Sequence, residues 1–386
     1  MRTVYVAGVG STTFGRLSDS VVSLGVRAAK AALTESGIDR KQIGALYLGN
    51  FVSGLLTGQE VLAGLVADQL GLPQIPCTKV EGACASGGIA FRHAYLSVAM
   101  GLFDAALAVG CEKMTHADTA NVTGALNCAM DNGSDGPSGL TFPGFFGLVA
   151  RVYGGRYGTG RRELSAVVRK NKRNGLANPL AQMGADLAEE TIERSSFICD
   201  PLQLYDCCPV SDGAAAAVLV SDRFKDNLRQ PRIKVLASVQ TRGSPRIAGH
   251  PDLCTFEATV SAAAQAFGTA GITAGDVDFV ELHDCFSIAE IVDSEDLGLV
   301  PRGQGAGWAA EGRTGVDGDM PINPSGGLLA KGHPVGATGL GQVYESVLQL
   351  RGTHPNQVRG AAIGMTHNLG GAGVACAVNL LGRADA

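Results

Sequence analysis

The feature that most constrains this chain is that it repeats itself. Ala28-Ala29-Lys30-Ala31-Ala32-Leu33-Thr34-Glu35-Ser36-Gly37-Ile38 has a counterpart in Ala262-Ala263-Ala264-Gln265-Ala266-Phe267-Gly268-Thr269-Ala270-Gly271-Ile272. The register holds beyond this helical pattern: residues 45–48 fall on residues 279–282, so each helix is followed by an equivalent strand. Residues 232–236 likewise mirror residues 2–6, and residues 361–364 mirror residues 106–109. The reading is one α/β unit, duplicated. Two such halves pack through helices sandwiched between two sheets, which gathers strand ends and helix starts of both halves around one cleft.

Along the first half, strand and helix signals alternate as βαβαβαβ. The strands fall at 4–9, 45–48, 78–80 and 105–110, and the helices at 20–36, 59–70 and 91–100. A short apolar run such as 105–110 suits a sheet covered on both faces. After Glu112 the pattern lapses, with Asn, Gly, Ser and Pro frequent from 121 to 143 and polar helical segments continuing to about 200. Strand signals resume at 214–220. The middle is therefore an insertion, and stretches of this size usually carry function. The boundaries are 1–118 with 206–228 for the first half, 119–205 for the inserted loop domain, and 229–386 for the second half. Within the insertion, Arg151, Arg156, Arg161, Arg162, Arg169, Lys170, Lys172 and Arg173 face the single acid Glu163. Such a stripe can seat a polyanion or merely form a solvated helix face.

Several function classes are excluded by what is missing. No apolar run reaches the roughly 18–20 residues that span a bilayer, and no signal-like segment precedes the first strand, so the expectation is a cytoplasmic protein without membrane association. A formal net charge of −5 argues against nucleic acid as a partner. The ten cysteines form no C-x-x-C pair, and no carboxylate and His cluster has metal-ligand spacing, so no metal is expected. Gly8-Val9-Gly10 does not complete a dinucleotide fingerprint.

What remains is nucleophilic chemistry. In Val80-Glu81-Gly82-Ala83-Cys84-Ala85-Ser86-Gly87-Gly88, a strand runs into a helix through small residues. Cys84 sits where helix N–H groups and dipole favour a thiolate; a buried structural Cys is the alternative. The second half contributes three Gly-rich polar loops at strand ends, the usual address of catalysis in α/β sheets. They contain His283-Asp284-Cys285-Phe286, the stretch 323–339 with Gly332-His333-Pro334, and the stretch 364–373 with His367-Asn368-Leu369-Gly370. Three such loops beside a Cys at a helix start point to Cys-His acyl chemistry with N–H donors for an oxyanion.

At these residues the chain resembles the thiolase family over nearly its whole length. Cys84-Ala85-Ser86 is similar to the C-x-S nucleophile motif, Gly332-His333-Pro334 to the G-H-P motif, and residues 323–339 to the long signature around that His. The resemblance implies a duplicated thiolase fold in five αβαβα layers, an inserted loop domain that binds coenzyme A, and a homodimer or homotetramer. It also implies coenzyme A and acyl-CoA as substrates, with no tightly bound cofactor. Two motifs depart from the common pattern: His283-Asp284-Cys285-Phe286 replaces N-E-A-F, and Asn368-Leu369-Gly370 replaces C-x-G. Both resemble the subgroup of sterol-carrier-protein-type and archaeal acetoacetyl-CoA thiolases.

By that resemblance Cys84 is the nucleophile, and His333 is its base and an oxyanion donor. His283 stands where the Asn of the other oxyanion site would be, and the N–H groups of Cys84 and Gly370 form a second hole. Arg151, Arg161, Arg162, Arg169, Lys170, Lys172 and Arg173, with Ser325 of the long signature, are the candidates for holding coenzyme A. The implied activity is cleavage or formation of a 3-oxoacyl-CoA, of the acetoacetyl-CoA type. Alternatives are a bulky or aromatic substrate such as 2-benzoylsuccinyl-CoA, and a non-catalytic lipid-binding or scaffold subunit. Related thiolases also work with a small zinc-ribbon and OB-fold partner, which makes one a candidate here. Since Asn368 cannot move a proton, the second acid/base is Cys285 or His367. Cys285 matches the displaced thiol chemically, and His367 can instead hold its loop.

Overall fold

The computed structural model describes residues 1–384. Strands β1 (Val4–Ser11), β2 (Ala45–Gly49), β3 (Cys77–Val80) and β4 (Ala105–Glu112) are interleaved with helices α1 (Val21–Ser36), α2 (Ser53–Thr57), α3 (Leu62–Leu70) and α4 (Ser86–Ala99). Between β4 and the next strand of the large sheet lie α5 (Thr119–Asn127), α6 (Phe142–Tyr157), α7 (Arg161–Ala177) and α8 (Glu189–Glu193), with a hairpin of β5 (Phe197–Cys199) and β6 (Leu202–Gln203). The chain returns through β7 (Gly213–Ser221) and β8 (Ile233–Arg242) to α9 (Glu257–Ala270), β9 (Phe279–Glu281), α10 (Ser287–Asp296) and α11 (Gly305–Ala310). It closes with α12 (Gly327–Lys331), α13 (Thr338–Arg351), β10 (Ile363–Gly370) and β11 (Ala375–Arg383).

The duplication is visible in the strand order, β3-β2-β4-β7-β1 followed by β8-β11-β10-β9. Read outward from the centre, β8 answers β1, β11 answers β7, β10 answers β4 and β9 answers β2. A single parallel bridge, Val280↔Ile322, lies where a counterpart of β3 belongs. Orientation is mirrored too: β2–β4 and β9–β10 are parallel, while β4–β7 and β10–β11 are antiparallel. In place of two separate sheets, β1 and β8 pair over Tyr5↔Lys234 and Val6↔Ile233, so the halves join into nine continuous strands.

Layering follows from the side-chain period of two. In β4, Leu107 and Val109 pack with α1 and α3 on one face, and Ala106 and Ala108 with α4 and α13 on the other. Helices α4 and α13 touch strands of both halves, and α9 covers β8 and β11. This is the five-layer αβαβα arrangement.

Helix boundaries depend on local chemistry. Ser20 caps α1 by accepting the Ser23 N–H, and Gly37 ends it in the left-handed region at φ 68°. The helix expected at 59–70 is α3, which begins only at Leu62 because Val61, just before it, turns to φ 52°; the short α2 ahead of it was not expected. The helix expected from 91 begins earlier, at Ser86.

The crossing of α4 and α13 sets the site. A Cβ on Gly339 would lie 2.3 Å from the Gly88 backbone nitrogen, and one on Gly87 would lie 2.9 Å from the Gly336 carbonyl oxygen. Only glycine permits these backbones to touch. The N-terminal ends of the two helices, one following Cys84 and the other following His333, are thereby brought together.

Candidate active site

Cys84 lies in a 3-10 turn, Ala83–Ala85, that leads directly into α4. Ser86 fixes this turn: its Oγ accepts the Gly82 N–H at 3.0 Å and donates to the Ala83 carbonyl at 2.6 Å. Ala83 itself adopts a positive φ of 50°, an unfavourable conformation that such a sharp turn requires. The thiol is not the standing thiolate expected from the helix start. Burial pushes it up to about 12, outweighing the N–H groups of Gly371 and Cys84 that favour the anion, and Glu112 and Glu81 add to the upward push.

His333 supplies what such a thiol lacks. Its Nδ1 lies 2.6 Å from Thr338 Oγ1, whose single hydroxyl proton goes to the Pro334 carbonyl at 3.1 Å. Nδ1 must therefore carry the proton, leaving Nε2 as a lone-pair acceptor. Nε2 is buried without a partner, and burial lowers the imidazole to about 3. A neutral base thus faces a neutral thiol. Ligand atoms of Cys84, His283 and His333 all lie within 4.8 Å of one another. The two imidazoles meet edge to face with ring centroids 5.0 Å apart, and Nδ1 of His283 is buried and unpartnered.

Distant segments hold these groups. The His333 N–H donates to Ser211 Oγ at 3.1 Å, and Cys208 N–H donates to the Cys285 carbonyl at 3.0 Å. Glu112, at the end of β4, accepts from the N–H groups of Phe51 and Gly336 and from Asn50 Nδ2 at 2.9, 3.1 and 2.7 Å. It ties the loop after β2 to the loop carrying His333. Burial raises this carboxyl to about 7 against the pull of those donors.

A cavity of about 350 Å³ opens beside Cys84, His283, Cys285 and His333. Its remaining wall is largely apolar, with Val122 and Leu126 from α5 and Phe142 and Phe146 from α6. The inserted segment therefore builds much of the chamber.

Other expected residues fall differently. Cys285 lines the cavity, its thiol raised well above the ordinary value by burial and by neighbouring Cys208 and Cys84. His367 does not line it: its Nδ1 accepts the His283 N–H at 3.5 Å and its Nε2 lies 3.0 Å from Thr259 Oγ1. That is a loop-holding role. Asn368 is packed between Gly88 and Gly339. The N–H facing the Cys84 sulfur belongs to Gly371, not Gly370; Gly370 is paired in the ladder with Ala375 and packed over the Gly82 carbonyl. Asp284 accepts the N–H of Leu328 at 2.7 Å and so pins α12.

None of the expected coenzyme A residues lines the cavity. Arg161 is paired with Asp206, and Lys170 reaches Glu290 and the Ile322 carbonyl, both at 2.7 Å. Lys172 is buried and donates to the Leu329 carbonyl at 2.7 Å. These three fasten α7 to the body of the molecule, which corrects their assignment. Ser325 is likewise buried, its N–H donating to Glu281 at 2.9 Å. Arg151 pairs with Asp200 and Arg169 lies 3.7 Å from Glu189, both on the surface, while Arg162 and Arg173 are also accessible. Thr338, Glu112 and Gly371 went unmarked in the sequence. Only Thr338 carried a signal, a hydroxyl five residues after His333 at the start of a helix.

Family models described as "Thiolase, N-terminal domain" and "Thiolase C-terminal domain-like" match residues 4–223 and 240–383. An acetyl-CoA acetyltransferase of Methanothermobacter thermautotrophicus is 43% identical over 99% of this chain and 100% of its own length. The benzoylsuccinyl-CoA thiolase subunit BbsB of Thauera aromatica is 37% identical, covering 96% of this chain and 95% of its own. Among solved structures, the Ltp2-ChsH2(DUF35) aldolase superposes with a TM-score of 0.86 at 23% identity, over 99% of this chain and 98% of that one. With both duplicated halves matched and identity sustained from end to end, the chain belongs to the thiolase family, a family of acyltransferases that work on coenzyme A thioesters.

Proposed function

We propose that this protein cleaves and forms 3-oxoacyl-CoA through an acyl-enzyme on Cys84, with acetyl transfer as the simplest case. The observation that carries the reading is the unpartnered His333 Nε2 grouped with Cys84 and His283. As the Cys84 sulfur attacks the keto carbon, its proton passes to Nε2. The oxyanion on the attacked keto carbon is met by the N–H groups of Cys84 and Gly371, and the enolate oxygen that follows by His283. The C–C bond breaks, the departing acyl-CoA enolate takes a proton from Cys285, and a second coenzyme A receives the acyl group from Cys84. Claisen condensation is the same sequence reversed.

Coenzyme A would cross the insertion, 119–205, with exposed Arg151, Arg162, Arg169 and Arg173 available to its phosphates. The name of the similar acetyl-CoA acetyltransferase supports the acetyl reading. The DUF35 component named in the superposed aldolase supports a small zinc-ribbon and OB-fold partner. A homodimer or homotetramer in the cytoplasm completes the proposal.

The test is mass spectrometry after incubation with acetyl-CoA. An acetyl adduct on the peptide containing Cys84, absent in Cys84→Ala, is expected; an unmodified Cys84 peptide sinks the assignment.

A further inference from the structure

The chamber beside Cys84 has an unusual composition for a site that receives a charged thioester. Among the described residues that line it, none is Asp, Glu, Lys or Arg. Its wall is mostly apolar, with Val122, Leu126, Phe142 and Phe146, and Phe286 stacked on Phe146 at a centroid distance of 4.7 Å; the polar side chains of α5 that reach it, Thr119, Thr123 and Asn127, are uncharged. His283 and His333 are held neutral by burial and supply no positive charge. The nearby cations of α7 are engaged elsewhere: Arg161 with Asp206, Lys170 with Glu290, Lys172 with a carbonyl. A carboxylate entering this space would shed its water and meet no counter-charge, a loss that hydrocarbon does not incur.

Building on the thiolase reading, we infer that the acyl pocket takes an uncharged hydrocarbon chain and rejects acyl groups that end in a carboxylate. The chain would lie along the α5 and α6 wall. This separates the protein from the similar Thauera aromatica subunit, whose name specifies a benzoylsuccinyl thioester.

The experiment compares thiolysis of 3-oxohexanoyl-CoA and 3-oxoadipyl-CoA, equal in chain length and different in the terminal carboxylate, with acetoacetyl-CoA as reference. The hexanoyl ester should match or exceed the reference, by up to roughly fourfold per added methylene. The adipyl ester should fall at least about a hundredfold below the hexanoyl ester, since an unpaired buried charge is far costlier than the decade per 1.4 kcal/mol that separates modest discriminations. Adipyl turnover within tenfold of hexanoyl overturns the inference, as does hexanoyl turnover below the acetoacetyl reference. If none of the three is cleaved, the thiolase reading itself fails. Leu126→Arg gives a second readout by placing a cation on the wall. In a variant that still cleaves acetoacetyl-CoA, the hexanoyl-to-adipyl ratio should drop at least tenfold; an unchanged ratio puts the acyl chain elsewhere and refutes the assignment.

Discussion

Replacing Thr338 with Val removes one hydroxyl and keeps the side chain's shape, which isolates its effect on His333. In the native site that hydroxyl accepts from Nδ1 at 2.6 Å and hands its own proton to the Pro334 carbonyl. Without it, the buried Nδ1–H has no partner, a deficit of about 1–3 kcal/mol. The imidazole can escape by moving its proton to Nε2, but it then presents a donor to the Cys84 thiol and can no longer act as base. Either way the productive tautomer is disfavoured by that amount, a rate loss of roughly 5- to 150-fold. The assay is kcat and KM for thiolysis, with circular dichroism to verify the fold. Loss should appear in kcat, because KM does not depend on which nitrogen holds the proton. Thr338→Ser, which restores the hydroxyl, should recover most of the rate. A Thr338→Val enzyme within threefold of the native kcat would show that His333 is oriented by something else.

With His333 lowered to about 3 and the Cys84 thiol raised to about 12, neither titrates from about pH 5 to 9, and any change of kcat/KM in that range should trace to Glu112, raised to about 7, and vanish in Glu112→Gln; an acid limb near pH 6.5 that persists in Glu112→Gln contradicts a buried neutral base. His333 and His367 are both depressed below the ordinary 6.5, so the unfolded chain binds protons that the fold excludes. Their contribution to stability is complete above pH 6.5 and is lost as pH falls toward 3, so urea titrations of His367→Gln should show a smaller acid loss over that range than those of the native protein. Gly339→Ala should force α4 and α13 apart and lower both the melting temperature and kcat, overpacking of this kind amounting to about 1–3 kcal/mol; unaltered melting would mean the helices have room. Lys172→Met should weaken stability without changing the salt dependence of KM, whereas loss of salt dependence would return Lys172 to the coenzyme A site.

The halves, their equivalent strands and the chemistry at Cys84 and His333 were legible because each leaves a local or periodic mark. Residues 28–38 and 262–272 announce the repeat directly, and small residues around Cys84 announce a tight turn. Glu112 was not legible, since a carboxylate at the end of an apolar strand gives no hint that its donors come from Phe51 and Gly336, far away in sequence. The cationic stripe misled for a similar reason. Composition shows that charges are there, but burial decides their use, and Arg161, Lys170 and Lys172 turn inward to Asp206, Glu290 and Leu329. The thiol's state was misjudged because dipole and N–H effects were weighed without the desolvation that dominates them.

The position of β1 bears on how the chain is made. This strand is synthesised well before either of its neighbours, for it lies between β7 and β8, pairing Val4 with Ser221 and Tyr5 with Lys234. More than 200 residues separate β1 from either neighbour, a delay of roughly 10–50 s at ordinary elongation rates. During that interval both edges of β1 are open, even though α1 and α4, which pack on its faces, have already been made. The sheet therefore closes around β1 only once the strands that flank it have emerged, and the chain must keep that open-edged segment from pairing elsewhere until then.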